Sequence, residues 1–412
     1  MSFADHYFVR YKALPPFFED NPAQVVDIIV IIPCIDDEFI FQTLKSLDDA
    51  NPVSAKIEVI VHVNSGEQTP HEIVERNKKI LNELHHKAKE VFYKNFSLLP
   101  ISTEGTVRKK AGVGFARKVA MDEAVRRFAS VDKPEGLIVS LDADSLVAKD
   151  YFQVITEAMN HIRANCLTFQ FRHHYDTLVY PEDVINACMM YEIYLRYYRL
   201  ALKMFEFPFA IHTIGSCFAV RAEAYIKLGG MPPRQGGEDF YFLQKAVKML
   251  PVYEVRKPIV FPSPRISDRV PFGTGPSVRA IIEKGSYKVY NYNLFGFLND
   301  FYRMIPSMEH VDVSVTGHKQ IPQVIIDFIG IDRFEAILAE CRNYSSSTGA
   351  FVKRMLDHFD SFFIVKFLNT FNQSEVYPPM DVWEAGKTIL HQYGIREIND
   401  LYEQIMLQDI NT

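Results

Sequence analysis

The chain has 412 residues, 48% of them hydrophobic and 23% charged, with a formal net charge of -6. That length suggests one large domain with an appendage, or two domains, and the mildly acidic balance argues against a nucleic-acid binder or a polybasic membrane anchor. Five scattered cysteines without a Cys-x-x-Cys pair, no apolar N-terminal segment of signal-peptide type and no apolar run long enough to span a bilayer predict a soluble, cytoplasmic protein with reduced thiols.

Residues 1–24, rich in Tyr, Phe and Pro, read as an irregular lead-in. Val25 to Ile32 is an apolar run of buried-strand type, stopped by Pro33. Behind it stand Asp36, Asp37 and Glu38, then an amphipathic stretch through Leu44 and Leu47. A second strand, Ile57 to Val63, ends at Asn64-Ser65-Gly66. A charged helix over about 70–90 and a short strand near Ser97 to Ile101 come next.

Between 108 and 128 a basic, glycine-containing segment leads into a helix whose Met121, Ala124, Val125 and Phe128 share one face. Gly112 and Gly114 permit close approach of backbone amides to a ligand, and a helix start with Arg117 favours an anion. A plain loop-to-helix turn with a solvated basic cluster is the alternative reading.

Leu137 to Leu141 forms another buried strand, followed by Asp142 and Asp144. Roughly one or two Asp-x-Asp triplets arise by chance in a chain of this length. Carboxylates at the carboxyl end of a strand in an α/β sheet nevertheless sit where ligands bind, and their hard oxygens suit Mg²⁺ or Mn²⁺. Alternation of strands and helices up to this point predicts a mostly parallel sheet.

Further strands are expected at Leu167 to Arg172, Pro208 to Val220 and Val255 to Phe261, with a tyrosine-crowded helix over 183–205. A Gly- and Pro-rich loop, 229–237, ends in Glu238 and Asp239 at the start of a helix over 240–249. That pair is either an ordinary helix-dipole partner or a carboxylate delivered into a cleft by a flexible loop. Arg265 and Arg269 lie in a second Pro/Gly loop and suit either a bidentate grip on phosphate or ion pairs with nearby acids. Beyond about 281 the pattern becomes helical, with amphipathic stretches at 322–344, 349–371 and 380–405.

In this order, the Pro33-Cys34-Ile35-Asp36-Asp37-Glu38 segment, the Gly114-x-Ala116-Arg117 helix start, Asp142-x-Asp144 and Gly236-Gly237-Glu238-Asp239 resemble the family 2 glycosyltransferases. The resemblance covers about residues 25–280. It implies the GT-A (nucleotide-diphospho-sugar transferase) fold, a mostly parallel central sheet flanked by helices, over 1–280 and a mainly helical C-terminal extension over 281–412. It further implies a UDP- or GDP-sugar donor, a carbohydrate or other hydroxyl acceptor, and Mn²⁺ or Mg²⁺ held by Asp144, with Asp142 on metal or ribose. Asp239 would be the general base of an inverting single displacement and Glu238 would orient the acceptor. Pro33, Asp36, Glu38, Asn64, Gly114 and Arg117 would line the nucleotide-sugar site; that Arg265 and Arg269 would close on the diphosphate follows from their own chemistry and not from the resemblance. The family's Gln-x-x-Arg-Trp signature is absent, and no His lies between 213 and 309 to serve as a third metal ligand.

A nucleotidyltransferase is the runner-up, but its glycine-rich, basic first loop is replaced here by an acidic one. A non-catalytic glycosyltransferase-like module is disfavoured by the intact acids. The helical C-terminal part is expected to pack against the sheet, to cover the acceptor site or to form a homodimer.

Overall fold

The computed structural model describes residues 2–22, 25–107, 112–161, 164–267, 273–310, 321–372 and 374–412. They divide into two compact units, Met1–Cys188 with Ile211–Ala280, and Met189–Ala210 with Ile281–Thr412.

In chain order the elements of the first unit are α1 (Asp5–Tyr11), β1 (Ile28–Cys34), α2 (Ile40–Asp48), β2 (Ile57–Gly66), α3 (His71–Glu90), β3 (Ser97–Thr106), α4 (Val113–Ser130), β4 (Leu137–Ser140), β5 (Ser145–Val147), α5 (Tyr151–His161), β6 (Cys166–Phe171), the first residues of α6 (Glu182–Met204), β7 (Phe218–Arg221), α7 (Ala222–Lys227), α8 (Glu238–Met249), β8 (Val252–Pro262) and the start of α9 (Thr274–Lys284). Eight strands form one mixed sheet in the order β3-β2-β1-β4-β7-β6-β8-β5. The β3-β2-β1-β4 half is parallel throughout, and β6 is parallel to β8. Strand β7 runs antiparallel to both neighbours, and β5 antiparallel to β8.

The central strands are covered on both faces, which is why their sequences are continuous apolar runs rather than alternating ones. Every residue of β1 and β4 is buried. Ile29, Ile31 and Ile138 pack against Ala120, Met121, Ala124, Val125 and Phe128 of α4 in one core.

Pro33 does not stop β1; it lies inside the strand, opposite His62 of β2. Ile31 faces β4, since its carbonyl accepts the Leu141 N–H. Pro33, two residues on, faces the same side, but the β4 ladder ends at the Ile31–Ser140 pair. The missing proline N–H therefore costs no ladder bond.

Three other expectations change. The lead-in contains the helix α1. Of 208–220, only Phe218–Val220 is strand, because the Cys217 N–H turns back onto the Ile214 carbonyl at 3.0 Å. Each predicted C-terminal stretch resolves into two helices.

The second unit holds the rest of α6 and α9, then β9 (Lys288–Val289), α10 (Tyr292–Met304), a 3-10 turn (Ile305–Glu309), α11 (Gln323–Ile329), α12 (Ile331–Asn343), α13 (Thr348–His358), α14 (Ser361–Phe371), β10 (Met380–Asp381), α15 (Val382–Gln392) and α16 (Leu401–Asn411). The breaks carry their own signals. Gly330 takes φ +85° between α11 and α12, and Asp360 caps α14 by accepting the Phe362 and Phe363 amides. Asp400 caps α16 by accepting the Glu403 amide. Among the described residues no helix is long and apolar enough to cross a membrane.

Candidate active site

The chain leaves β4 at Ser140, and a turn closed by the Ser145 N–H on the Asp142 carbonyl (3.1 Å) leads directly into β5. This turn sets Asp142 and Asp144 at the carboxyl end of the strand, half-exposed, and points them at two different arginines.

Asp142 meets Arg117, on the second turn of α4. The Arg117 side chain is 3% exposed and its guanidinium is fully engaged. Its Nε donates to Ser140 Oγ at 3.0 Å, one Nη to Glu238 and the other to Asp142. Burial alone would lower the pKa of this group, but Asp142 and Glu238 outweigh it and raise the pKa, so Arg117 is a fixed cation. It ties α4, the end of β4 and the start of α8 into one frame.

Asp144 meets Arg265. Arg265 Nε lies 3.0 Å from Asp144 Oδ2, and one Nη reaches both Asp144 and Asp37. Asp37 is buried, at 2% exposure, and also caps the turn by accepting the Phe39 amide at 3.2 Å. The guanidinium lies 4.9 Å from the centre of the Phe39 ring. Ser263 Oγ, which accepts the Arg265 N–H at 3.2 Å, is 3.1 Å from the Tyr180 hydroxyl.

Asp239 follows the 229–237 loop. One of the two sequence readings made that loop flexible; it is held at Gly230 and Arg234. Gly230, at φ +77°, leaves room for the Tyr7 hydroxyl, which would lie 2.0 Å from a Cβ there. Arg234 accepts the Gly114 N–H at 3.1 Å. A Cβ on Gly114 would stand 2.6 Å from that same carbonyl oxygen. Asp239 Oδ1 accepts the Phe240 amide at 2.8 Å. Burial first, and the charge of Glu238 second, push the Asp239 carboxyl up to about 7, against the pull of Arg117. A carboxylate so tuned is matched to proton transfer near neutral pH.

Arg265 forms the ion pairs with nearby acids that were one of its two sequence readings, and the structure brings Asp142, Arg117 and Glu238 into contacts that were not foreseen in sequence. The Gly114 amide donates to the Arg234 carbonyl, Arg117 holds the Asp142 and Glu238 carboxylates, and Glu238, 2% exposed, is turned inward onto Arg117. Asp36 has φ +49° and is drawn away to Arg76, whose Nη2 lies 2.8 Å from it. Asp37 takes the inward position. Glu38 is exposed, and Pro33 is an interior strand residue. Asn64 is buried at the end of β2. Its carbonyl accepts the Asn77 side-chain amide at 3.0 Å, and Asn77 in turn accepts the Asp36 N–H at 2.7 Å. Arg269 lies outside the described residues.

Asp37 and Ser140 bond Arg265 and Arg117, Asn77 accepts the Asp36 N–H, and a Cβ on Gly215 would stand 2.3 Å from Arg117 Nη2; none of these four was singled out as a site residue in sequence. Only Asp37, next to Asp36 in an acidic loop, left any signal in the sequence.

Among the described residues no three His, Cys, Asp or Glu side chains gather in metal-ligand geometry. Mg²⁺ or Mn²⁺ in phosphate chemistry needs only one or two carboxylates, completed by water and phosphate oxygens. The donor chemistry of Asp144, with Asp142 beside it, fits that requirement.

Fold and site together define an α/β protein with an arginine-braced carboxylate cleft at the carboxyl ends of its parallel strands. No family model matches the chain, and no curated protein matches it. Among solved structures it is similar to S. aureus TarS 1–349, with 14% identity and a TM-score of 0.39 over 81% of this chain and 91% of that one. The complex of that protein with UDP-GlcNAc gives 13% identity and a TM-score of 0.40 over the same shares, 81% and 91%. The mannosyltransferase PcManGT from Pyrobaculum calidifontis, in complex with GDP-Man and Mn²⁺, is 15% identical with a TM-score of 0.37, over 98% of this chain and 92% of that one.

Proposed function

We propose that the chain is a glycosyltransferase, moving a sugar from a UDP- or GDP-sugar to an acceptor hydroxyl with inversion at the anomeric carbon. The observation that carries this reading is the gathering of Asp142, Asp144 and Glu238 onto Arg117 and Arg265 at the end of β4, with Asp239 next to Glu238 at the start of α8 and its carboxyl pushed up to about 7. The motif order that resembles family 2 glycosyltransferases supports it.

In the proposed reaction Asp239 takes the proton of the acceptor hydroxyl. The acceptor oxygen forms a bond to the anomeric carbon as the bond from that carbon to the diphosphate oxygen breaks, and the nucleoside diphosphate leaves with the bonding pair. A base used in this way typically contributes about 10²–10⁴-fold. Arg117 and Glu238 act behind it by fixing the end of β4 and the start of α8. A divalent cation at Asp144 and Asp142 would neutralise the charge growing on the leaving diphosphate. Asp142 would also meet the donor's ribose.

A panel of UDP-glucose, UDP-galactose, UDP-GlcNAc and GDP-mannose, followed by thermal shift with and without Mn²⁺, tests the reading, since binding raises apparent stability. At least one donor should stabilise the protein, and Asp239→Asn should retain that binding while losing transfer. Failure of every donor to bind, or unchanged transfer by Asp239→Asn, sinks it.

A further inference from the structure

The lead-in and α4 enclose a second cleft, none of whose walls is an acid at the end of β4. Arg126 Nη2 donates to the Leu14 carbonyl, and Glu123 accepts the Phe17 N–H at 3.3 Å, so residues 14–17 are strapped along the helix. Pro15 and Pro16 fix φ within the strap and stiffen it against collapse onto α4. The space between holds about 130 Å³. Its apolar wall is Tyr11, Leu14, Phe17, Phe115, Val119 and Pro233, with Tyr11 38% and Leu14 37% exposed. A cavity near that volume takes one aromatic ring.

Charge around this space is unbalanced. Lys12, Lys118 and Arg126 face Asp122 and Glu123, three cations against two carboxylates. Both acids are engaged within the protein. Asp122 accepts from Tyr7 at 2.7 Å, Tyr225 at 2.9 Å and Lys118 at 2.9 Å, and Glu123 lies 3.6 Å from Arg126. Burial raises the pKa of Glu123, which moves the balance further toward positive. Lys12, exposed at the C-terminal end of α1, has no ion-pair partner among the described residues.

We propose that this cleft binds a small aromatic carboxylate, its ring between the strap and α4 and its carboxylate against Lys12. A largely apolar wall with a few charged groups to fix orientation is the usual make-up of a small-molecule site. The single surplus positive charge matches a monoanion. A ring flanked by Tyr11, Phe17 and Phe115 finds edge and face partners of its own kind. The site does not depend on the glycosyl-transfer reading, yet it touches the frame described above. Lys118 follows Arg117 in α4, and Pro233 precedes Arg234, whose carbonyl accepts the Gly114 N–H at 3.1 Å. The bound acid bridges the lead-in, α4 and the loop that leads to Glu238 and Asp239.

The experiment titrates phenylacetate, benzyl alcohol, phenethylammonium and acetate into the full chain at low salt, with binding followed by ligand-observed NMR. Phenylacetate should bind at least about tenfold more tightly than benzyl alcohol, which has the ring without the charge, and acetate should not bind. Lys12→Gln should weaken phenylacetate by about fivefold and leave benzyl alcohol unchanged. Val119→Phe, which fills the cleft from α4, should abolish binding of both. Should Val119→Phe fail to fold, Leu14→Trp on the exposed strap fills the cleft from the opposite wall and should do the same. Absence of phenylacetate binding overturns the proposal, and so does phenethylammonium binding as tightly as phenylacetate. An affinity for phenylacetate that is unchanged in Lys12→Gln or in the filled variant overturns it equally.

Discussion

Gly215 lies against the Arg117 guanidinium so closely that a Cβ on it would stand 2.3 Å from Nη2 and 2.7 Å from Cζ. The guanidinium is held on its other sides by Ser140, Asp142 and Glu238, so it has little room to retreat. Gly215→Ala should push Arg117 off its carboxylates, at an overpacking cost of about 1–3 kcal/mol. Transfer should fall by more than tenfold in kcat/KM, since the displaced frame also carries Asp239, and about 1.4 kcal/mol of transition-state stabilisation corresponds to each tenfold. Gly296→Ala, inside α10 with nothing within 4 Å of the new Cβ, is the control. It should leave activity unchanged and stabilise by about 0.5–1 kcal/mol. Urea unfolding and initial rates on both variants check this.

Asp239 predicts opposite pH trends for stability and activity. Its folded pKa, about 7, is raised from the ordinary 3.8, first by burial and then by Glu238. Such a group stabilises the fold fully below its unfolded pKa, and the stabilisation is lost as pH rises through the folded value. Between pH 4 and pH 7 the folded state binds more protons at this site than the unfolded state, so this site's contribution declines across that window. Activity needs the deprotonated base, so kcat/KM should rise over the same window with an apparent pKa near 7. Subtracting the Tm profile of Asp239→Asn from that of the wild type isolates the site. The wild type should lose stability relative to the variant from pH 5 to pH 8, and a flat difference contradicts the assignment.

The parts of this molecule that sequence reveals are those whose physics is local. The strands β1, β2 and β4 are buried on both faces and read as apolar runs, and α4 shows its core face at helical spacing. The breaks in the C-terminal helices, at Gly330, Asp360 and Asp400, were missed, because the amphipathic pattern running across them masks the stops. The site was legible only as a set of acids. Whether Asp36 or Asp37 turns inward depends on the left-handed backbone at Asp36, which neighbouring acidic residues do not signal. The pairing of Asp142 with Arg117 and of Asp144 with Arg265 spans 25 and 121 positions of chain. No periodicity encodes contacts at that range.

A buried ion network in the second unit predicts a large stability effect with no residue of the candidate site involved. Arg196 bonds Glu192 at 2.6 Å and Asp409 at 2.7 Å, and Arg199 bonds Asp409 at 2.6 Å, joining α6 to α16. The Tyr402 hydroxyl adds a bond to Glu192 at 2.9 Å. Asp409→Ala removes a carboxylate shared by two buried guanidinium groups, and removing one partner of a buried pair costs about 3–5 kcal/mol. Chemical denaturation should show a lower midpoint, and high salt should rescue little of it because a buried pair is poorly screened. A loss under about 1 kcal/mol would falsify the view that this network fastens α16.

Asp36 and Asp37 are adjacent acids with opposite predicted importance. Asp36 forms a part-exposed pair with Arg76, whose side chain is 46% exposed, and such pairs contribute about 0–1 kcal/mol. Asp37 is buried against Arg265 and holds the turn through the Phe39 amide. Asp36→Ala should therefore leave Tm within about 1 °C or 2 °C and transfer within about twofold, as for surface substitutions generally. Asp37→Ala should lower stability by about 3–5 kcal/mol, as for a broken buried pair, and raise donor affinity, because a guanidinium released from one carboxylate is freer to grip the diphosphate. The isosteric Asp37→Asn separates the two effects. It keeps an acceptor for the Phe39 amide, so it should recover part of the stability, while the lost charge still weakens the hold on Arg265. Thermal melts with and without a bound nucleotide-sugar read both quantities on the same samples. If Asp36→Ala proves the more damaging of the two, the inward position belongs to Asp36 and the assignment of Asp37 fails.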